Sequence, residues 1–335
     1  MRYCKRCVLP ETFPGADLDE EGICRYCRNE PQPETTAAAR AQLRARFDAL
    51  VDEIRPTPGY HALMSWSGGK DSTYTLWLLK ARYNLRVTAF TFDNGFISDV
   101  AFRNMRTVAE ALKIDHTVIK PDFALLRRLF VASLDGGLYT PRALERASGI
   151  CLTCMSIAKG LSLRLALSQH IPLMVYGWSP GQIPLSSALY HSTPQMMKAM
   201  LRALRKPLDT IGNGQIAAYF PDEDNLEQPP PYNISPLAFL DYNEEEAFEQ
   251  IRGLGWERPQ DTDPNSTNCL LNAFANTIHQ NTYHYHPYCM EIAGLVRQGY
   301  LDRAEGLRRL ETASSPIVTA AVKAKLGLEP QEHAS

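Results

Sequence analysis

The chain has 335 residues, 44% hydrophobic and 21% charged, with 35 Lys and Arg against 37 Asp and Glu. That length suits one large or two modest domains with a real core. The balanced charge excludes a whole-chain electrostatic footprint for nucleic acid or an anionic membrane. No apolar run that would span a bilayer stands out, so no membrane is expected. The opening "MRYCKRCVLPETF" has no apolar stretch of the signal-peptide kind. The expected home is therefore the cytoplasm, where thiols stay reduced and serve as ligands or reactive groups.

Residues 1–30 are compact and cysteine-rich. Cys4-x-x-Cys7 and Cys24-x-x-Cys27 stand sixteen residues apart, the spacing of a Cys₄ zinc site. So small and polar a segment needs metal to supply its folding energy. An iron–sulfur cluster is the alternative occupant. Residues 31–60 read as a Pro-containing linker and then a helix, with Leu43, Phe47, Leu50 and Ile54 at helical spacing.

Residues 61–235 form the expected catalytic domain. The segments "HALMSW", "RVTAFTFD", "HTVIKP" and "PLMVYGW" read as strands. Helical patterns alternate with them: "STYTLWLLKARYN", "DVAFRNMRTVAEALK" and "SIAKGLSLRLALSQH". The alternation predicts an α/β fold, a parallel sheet with helices on both faces and ligands beyond the carboxyl ends of its strands. Residues 180–235 are rich in Pro and turn formers and read as an excursion from the sheet, near the substrate. Residues 236–335 read as a mostly helical C-terminal region.

Ser67-Gly68-Gly69-Lys70-Asp71-Ser72 follows a strand and opens a helix. That context places backbone N–H groups and a positive helix end around an anion. The glycines permit close approach, the serines add hydroxyl donors and Lys70 adds charge. The spacing is neither that of a Walker loop nor of a dinucleotide fingerprint.

"SGGKDS" resembles the pyrophosphate loop of the N-type ATP pyrophosphatase, or PP-loop, superfamily. The resemblance implies an enzyme that adenylates a substrate oxygen, releases pyrophosphate and then displaces AMP. It assigns Ser67, Gly68, Gly69, Asp71 and Ser72 to ATP, with Lys70 and Asp71 as catalytic candidates. Asp93 and Asn94 of "TFDNG" are the nucleoside candidates, and Gly177 of "VYGWS" is the close-approach glycine at the AMP end. Mg²⁺ is expected with the phosphates. The N-terminal "YCKRCVLPETFPGADLDEEGICRYCRN" and the late "VRQGYLDRAEGLRRL" resemble N-acetyl sugar amidotransferases, PP-loop proteins with the same order of parts.

Cys151-x-x-Cys154 is read as lying just before a helix of the catalytic domain. A central pair of this kind is similar to the PP-loop thiolases that depend on a [4Fe–4S] cluster, some of which thiolate tRNA. There, three cysteines hold the cluster and leave one iron open. Cys269, in the polar "DPNSTNCLLN", is the preferred third ligand, and Cys289 is expected to pack as a small hydrophobe. A redox dithiol or persulfide relay and a second zinc pair remain the other readings of Cys151 and Cys154. His279, His284 and His286 have no ligand spacing and are read as surface or helix-end residues.

The expected activity is ATP-dependent adenylation of a carbonyl or amide oxygen on a small-molecule acceptor: a nucleobase, an amide or an N-acetyl sugar. Sulfur from a donor then replaces the oxygen. The N-terminal cysteine segment favours nitrogen instead, through its resemblance to the amidotransferases, with ammonia from a separate glutaminase subunit. A tRNA acceptor and a homodimer are left open.

Overall fold

The structure, a computed structural model, describes residues 1–135, 137–222, 226, 230–263 and 265–328. The N-terminal cysteines surround the short helix α1 (Arg25–Arg28), and α2 (Pro33–Ile54) follows at once. The expected linker is thus almost absent, because Pro33 sits in the first turn of α2, where its missing N–H costs nothing. Next come β1 (Ala62–Ser65), α3 (Lys70–Trp77), which ends in a π-helical turn, and β2 (Val87–Phe92). They are followed by α4 (Asp99–Leu112), β3 (Asp115–Ile119), α5 (Phe123–Ala132) and the single turn α6 (Pro141–Leu144). Helix α7 (Gly149–Ser168) leads to β4 (Leu173–Tyr176).

The sheet runs in the order β3-β2-β1-β4-β6-β5 among the described strands. One expectation is corrected at this edge. Residues 180–235 do not simply leave the sheet: they supply β5 (Leu189–His191), α8 (Pro194–Gly212) and β6 (Tyr232–Ile234). Strand β6 continues the parallel sheet beside β4, whereas β5 pairs antiparallel at the edge. The sheet is therefore mostly rather than wholly parallel. Much of "PDEDNLEQPPPYNISP" lies outside the described residues.

The alternation of side chains along the strands divides the core in two. Ala62, Met64, Val87, Ala89, Leu173 and Val175 join one cluster, with residues of α2, α3 and α4. Leu63, Phe90 and Met174 join the other, with α5, α7 and α8. Helix α7 packs against β1, β2 and β4. At 20 residues it is long and apolar enough to cross a membrane, contrary to the sequence expectation, but half of that span is buried and most of its apolar residues join this second core.

The chain ends in α9 (Glu244–Arg252), α10 (Leu271–Tyr283), α11 (Cys289–Arg297), α12 (Arg303–Glu311) and α13 (Pro316–Lys325). The N-terminal knot is docked on this region. Val8, Leu9 and Phe13 share a third core with Tyr285, Cys289, Ile292 and Leu310. The knot therefore buries more apolar surface than its composition suggested, by borrowing it from residues nearly 300 positions away.

Candidate active site

Chain order reverses across the sheet between β1 and β4: the chain builds outward through β2 and β3, then returns to add β4 on the other side. Ligands of such sheets lie at this switch point, beyond the strand ends. The glycine loop leaves β1 there. Gly68 has φ +77°, and a Cβ on it would stand 2.4 Å from Met105 Cε. Gly177, just after β4, is as tightly placed, and against backbone rather than a side chain: its added Cβ would be 2.4 Å from Ser72 Cα and 2.6 Å from Ser72 N. Only glycine lets the end of β4 lie against the first turn of α3.

A cavity of about 300 Å³ opens at this point. Ser67, Ser72 and Gly177 line one part of it, and Cys151, Cys154 and Cys269 line another. Ser67 and Ser72 share a hydroxyl hydrogen bond of 3.0 Å. The cysteine pair does not precede α7, as expected, but lies in its first two turns. Ser148 caps the helix by accepting from Cys151 N. Gly149 is required because a Cβ would meet Ser133 O at 2.3 Å. The i, i+3 spacing on a helix puts both sulfurs on one face.

Cys269 arrives from the opposite side, on a strap sewn to the segment between β2 and α4. Ser98 N donates to Asn268 O and Leu270 N to Phe96 O, each at 2.9 Å. The same strap reaches the glycine loop, where the Thr267 hydroxyl accepts from Lys70 N at 2.9 Å. Asn94 ties the thiols together. Its Nδ2 donates to Cys154 Sγ at 3.6 Å and to Cys269 Sγ at 3.5 Å, while Oδ1 accepts from Phe96 N. The sum of the two sulfur distances bounds the Cys154–Cys269 separation. Cys151 Sγ stands 4.0 Å from Asn272 Oδ1. Burial pushes the Cys151 thiol up to about 12, and raises Cys154 and Cys269 as well. Cys289 lies elsewhere, in the core beneath the N-terminal knot.

Lys70 and Asp71 are placed differently from the serines. Their side chains line a separate recess of about 80 Å³. Lys70 Nζ stands 2.6 Å from Glu244 and 3.2 Å from Asp71, and donates to Tyr242 OH at 2.7 Å. Burial opposes its charge, but Asp71 and Glu244 outweigh burial and hold its pKa above the ordinary value. Glu244 also pairs with Arg309 at 2.7 Å. Lys159 is instead the one charged side chain among the described residues lining the main cavity. Its ammonium lies 6.0 Å from the Trp178 ring centroid, and burial lowers its pKa. Asp93 turns away: Oδ1 accepts from Gly95 N, and Oδ2 pairs with Lys120 at 3.6 Å.

At the N-terminus, Cys4, Cys7, Cys24 and Cys27 bring their sulfurs within 4.8 Å of one another, and all four are buried. The Cys4–Cys27 and Cys7–Cys24 sulfur distances are 3.8 and 3.6 Å. A tetrahedral zinc with Zn–S bonds of about 2.3 Å separates its sulfurs by about 3.8 Å, so the donor set fits. Arg303 on α12 donates to the Cys4 and Cys7 carbonyls at 2.8–3.1 Å. Among the described residues only these four cysteines form so tight a group; the central trio is spread more widely. That fits a cluster better than a single ion, because each thiolate then holds a different iron. His279 and His286 are buried, with pKa values lowered to about 4 by burial, and His284 is exposed at the C-cap of α10.

Residues 61–136 match the family model described as "queuosine biosynthesis protein QueC". This span contains the glycine loop, β2 and Asn94. The matched segment, with its glycine loop, is of the PP-loop type. A curated relative is the uncharacterized protein MJ1599 of Methanocaldococcus jannaschii, 24% identical over 276 residues, 82% of this chain and 81% of that one. Among solved structures, the U34-tRNA thiolase NcsA from Methanococcus maripaludis, with its [4Fe-4S] cluster, aligns with a TM-score of 0.41 and 13% identity, covering 100% of this chain and 91% of that one. The NMN synthetase from Francisella tularensis aligns with a TM-score of 0.30 and 16% identity, covering 76% and 96%.

Sequence reasoning missed the roles of Asn94 as a sulfur-facing donor, Thr267 at the glycine loop and Glu291. The Glu291 carboxyl accepts from Ser179 Oγ at 2.9 Å, and burial pushes its pKa up to about 7. Periodicity carries no signal for a lone acid in the first turn of a helix. A raised acid pKa means that the folded state favours the protonated form. Its contribution is fully present below the ordinary carboxyl range and is lost as pH rises through 7. Glu291→Gln should therefore match the parent near pH 4.5 and exceed it in stability at pH 8 by about 2 kcal/mol, allowing for partial exposure. Urea titrations at the two pH values read the difference directly.

Proposed function

We propose that this PP-loop protein adenylates a carbonyl or amide oxygen of a small acceptor, with release of pyrophosphate, and replaces that oxygen with sulfur. The observation that carries the reading is the meeting of the glycine loop and three cysteines from two distant segments in one cavity. Adenylation alone needs no thiol there, and neither does attack by ammonia.

In this reading the Ser67 and Ser72 hydroxyls and the N-terminal N–H groups of α3 receive the phosphates of Mg²⁺-ATP. Lys159 supplies the cavity's positive charge, while Lys70 braces Asp71 and Glu244 behind the loop. Gly177 keeps the AMP end open. Cys151, Cys154 and Cys269 would hold a [4Fe–4S] cluster, which when bound supplies sulfur through its open iron. Asn94 steadies the Cys154 and Cys269 sulfurs by hydrogen bonding. Zinc at the N-terminal four cysteines has a structural role. The resemblance of the N-terminal cysteine segment to sugar amidotransferases keeps nitrogen as the second reading, with ammonia from a glutaminase subunit.

The test is the fate of labelled ATP when anaerobic protein is mixed with a small-molecule fraction from cells. AMP and pyrophosphate are the expected products. Lys159→Met should raise the KM for ATP about tenfold or more, the scale of one lost charge-assisted contact. Release of ADP and phosphate would overturn the reading.

A further inference from the structure

Of residues 67–72, only Ser67 and Ser72 line the main cavity. Gly69 and the backbone of Lys70 lie beneath the strap that carries Cys269. A Cβ on Gly69 would stand 3.0 Å from Thr267 Oγ1 and 3.3 Å from Asn268 Oδ1. Lys70 N donates to the Thr267 hydroxyl at 2.9 Å. The strap also divides the space around the loop. Thr267 lines the recess behind it, with Lys70 and Asp71, whereas Asn268 and Cys269 line the main cavity.

Lys70 is the first residue of α3, and the first N–H groups of a helix have no partner inside it. They are the groups that receive an anion. The Lys70 N–H is therefore already taken, by a neutral hydroxyl. A charged acceptor makes a hydrogen bond roughly twice as strong as a neutral one, so a nucleotide phosphate wins the exchange and Thr267 lets go. What moves with it follows from the local turn. Cys269 N donates to Ser266 Oγ at 3.3 Å, and Ser266 N to Asp263 O at 2.8 Å. Thr267 and Asn268 thus form the tip of a hydrogen-bonded turn that ends on Cys269. Cys151 and Cys154 are fixed in α7 instead.

We infer that Thr267 is a positioning residue that couples the nucleotide to the third cysteine. Its hydroxyl holds the strap down on the glycine loop before the nucleotide arrives. The phosphates displace it, and the strap resets Cys269 against the Cys151–Cys154 pair. This rests on the nucleotide-binding half of the adenylating reading and adds an order of events, nucleotide first and thiols second. The protein breaks one hydrogen bond of its own to bind ATP. Removing that bond should therefore tighten binding, whereas removing a group that touches the phosphates would weaken it.

Calorimetric titration of the full chain with Mg²⁺ and α,β-methylene-ATP, which cannot be cleaved between those phosphates, reads the difference. Thr267→Val should bind the analogue about three- to tenfold more tightly than the parent, the scale of one net hydrogen bond. Thr267→Ser should bind as the parent does. By reciprocity the analogue loosens the strap by the same factor. Hydrogen exchange at the Ser98 and Leu270 amides, which pair with Asn268 O and Phe96 O, should therefore speed up in the parent when the analogue is added, and not in Thr267→Val. Should Thr267→Val misfold, Asn268→Ala, which removes the neighbouring contact over Gly69, must tighten binding likewise. Unchanged affinity would make Thr267 a helix cap, and weaker affinity a phosphate ligand. Either overturns the inference and leaves the adenylating reading standing. Tighter binding with exchange unmoved in the parent would remove the link to Cys269. An analogue that fails to bind the parent sinks both readings.

Discussion

Cys269→Ala should strip iron from the protein and abolish sulfur transfer while leaving the fold and ATP binding intact. The substitution removes only a sulfur that faces the cavity. The strap holds through backbone pairs, Ser98 N to Asn268 O and Leu270 N to Phe96 O, and neither needs the side chain. The nucleotide groups, Ser67, Ser72 and Lys159, come from other elements. Two remaining thiolates leave two cluster irons without protein ligands, so the iron should fall to a small fraction of the parent's. Cys289→Ala is the control. Its sulfur belongs to the core under the N-terminal knot, so the variant should lose stability by about 1–2 kcal/mol and keep its iron. Iron content, ATP affinity and circular dichroism measured on both variants decide the matter. Equal iron in parent and Cys269→Ala would remove Cys269 from the ligand set.

Removing metal from the N-terminal knot should produce the largest loss of stability. Structural zinc contributes on the order of 10 kcal/mol in small sites, against a net stability of about 5–15 kcal/mol for a domain. Here the loss would spread. Arg303 of α12 binds the Cys4 and Cys7 carbonyls, and α12 also carries Arg309, which pairs with Glu244 behind Lys70. Cys4→Ser should therefore lower the melting temperature by about 10 °C or more and loosen the recess behind the glycine loop. Calorimetry with and without a zinc chelator, at constant iron content, is the measurement. A variant with all four cysteines changed to Ser that melts with the parent would show that the knot is held by its apolar contacts alone.

Much of this was legible in the sequence, because some signals are local. "HALMSWSGGKDS" shows an apolar strand, two glycines and a helix start within twelve residues, and the loop forms there. The paired C-x-x-C spacing likewise foretold four sulfurs in one place. The three-residue strands β5 and β6 were not legible. Each is too short for a period, and β6 sits among prolines that read as loop. Chemical role was harder than position. Lys70 is the lysine of the motif, yet it faces Glu244, a partner 174 residues away, while Lys159 faces the cavity.

Iron, inorganic sulfide and zinc measured on a single sample purified without oxygen bear most directly on the proposed chemistry. About four irons and one zinc per chain, with a brown colour that bleaches in air, is the predicted result. A colourless, iron-free protein that cleaves ATP to AMP and pyrophosphate and passes ammonia to its acceptor would contradict it.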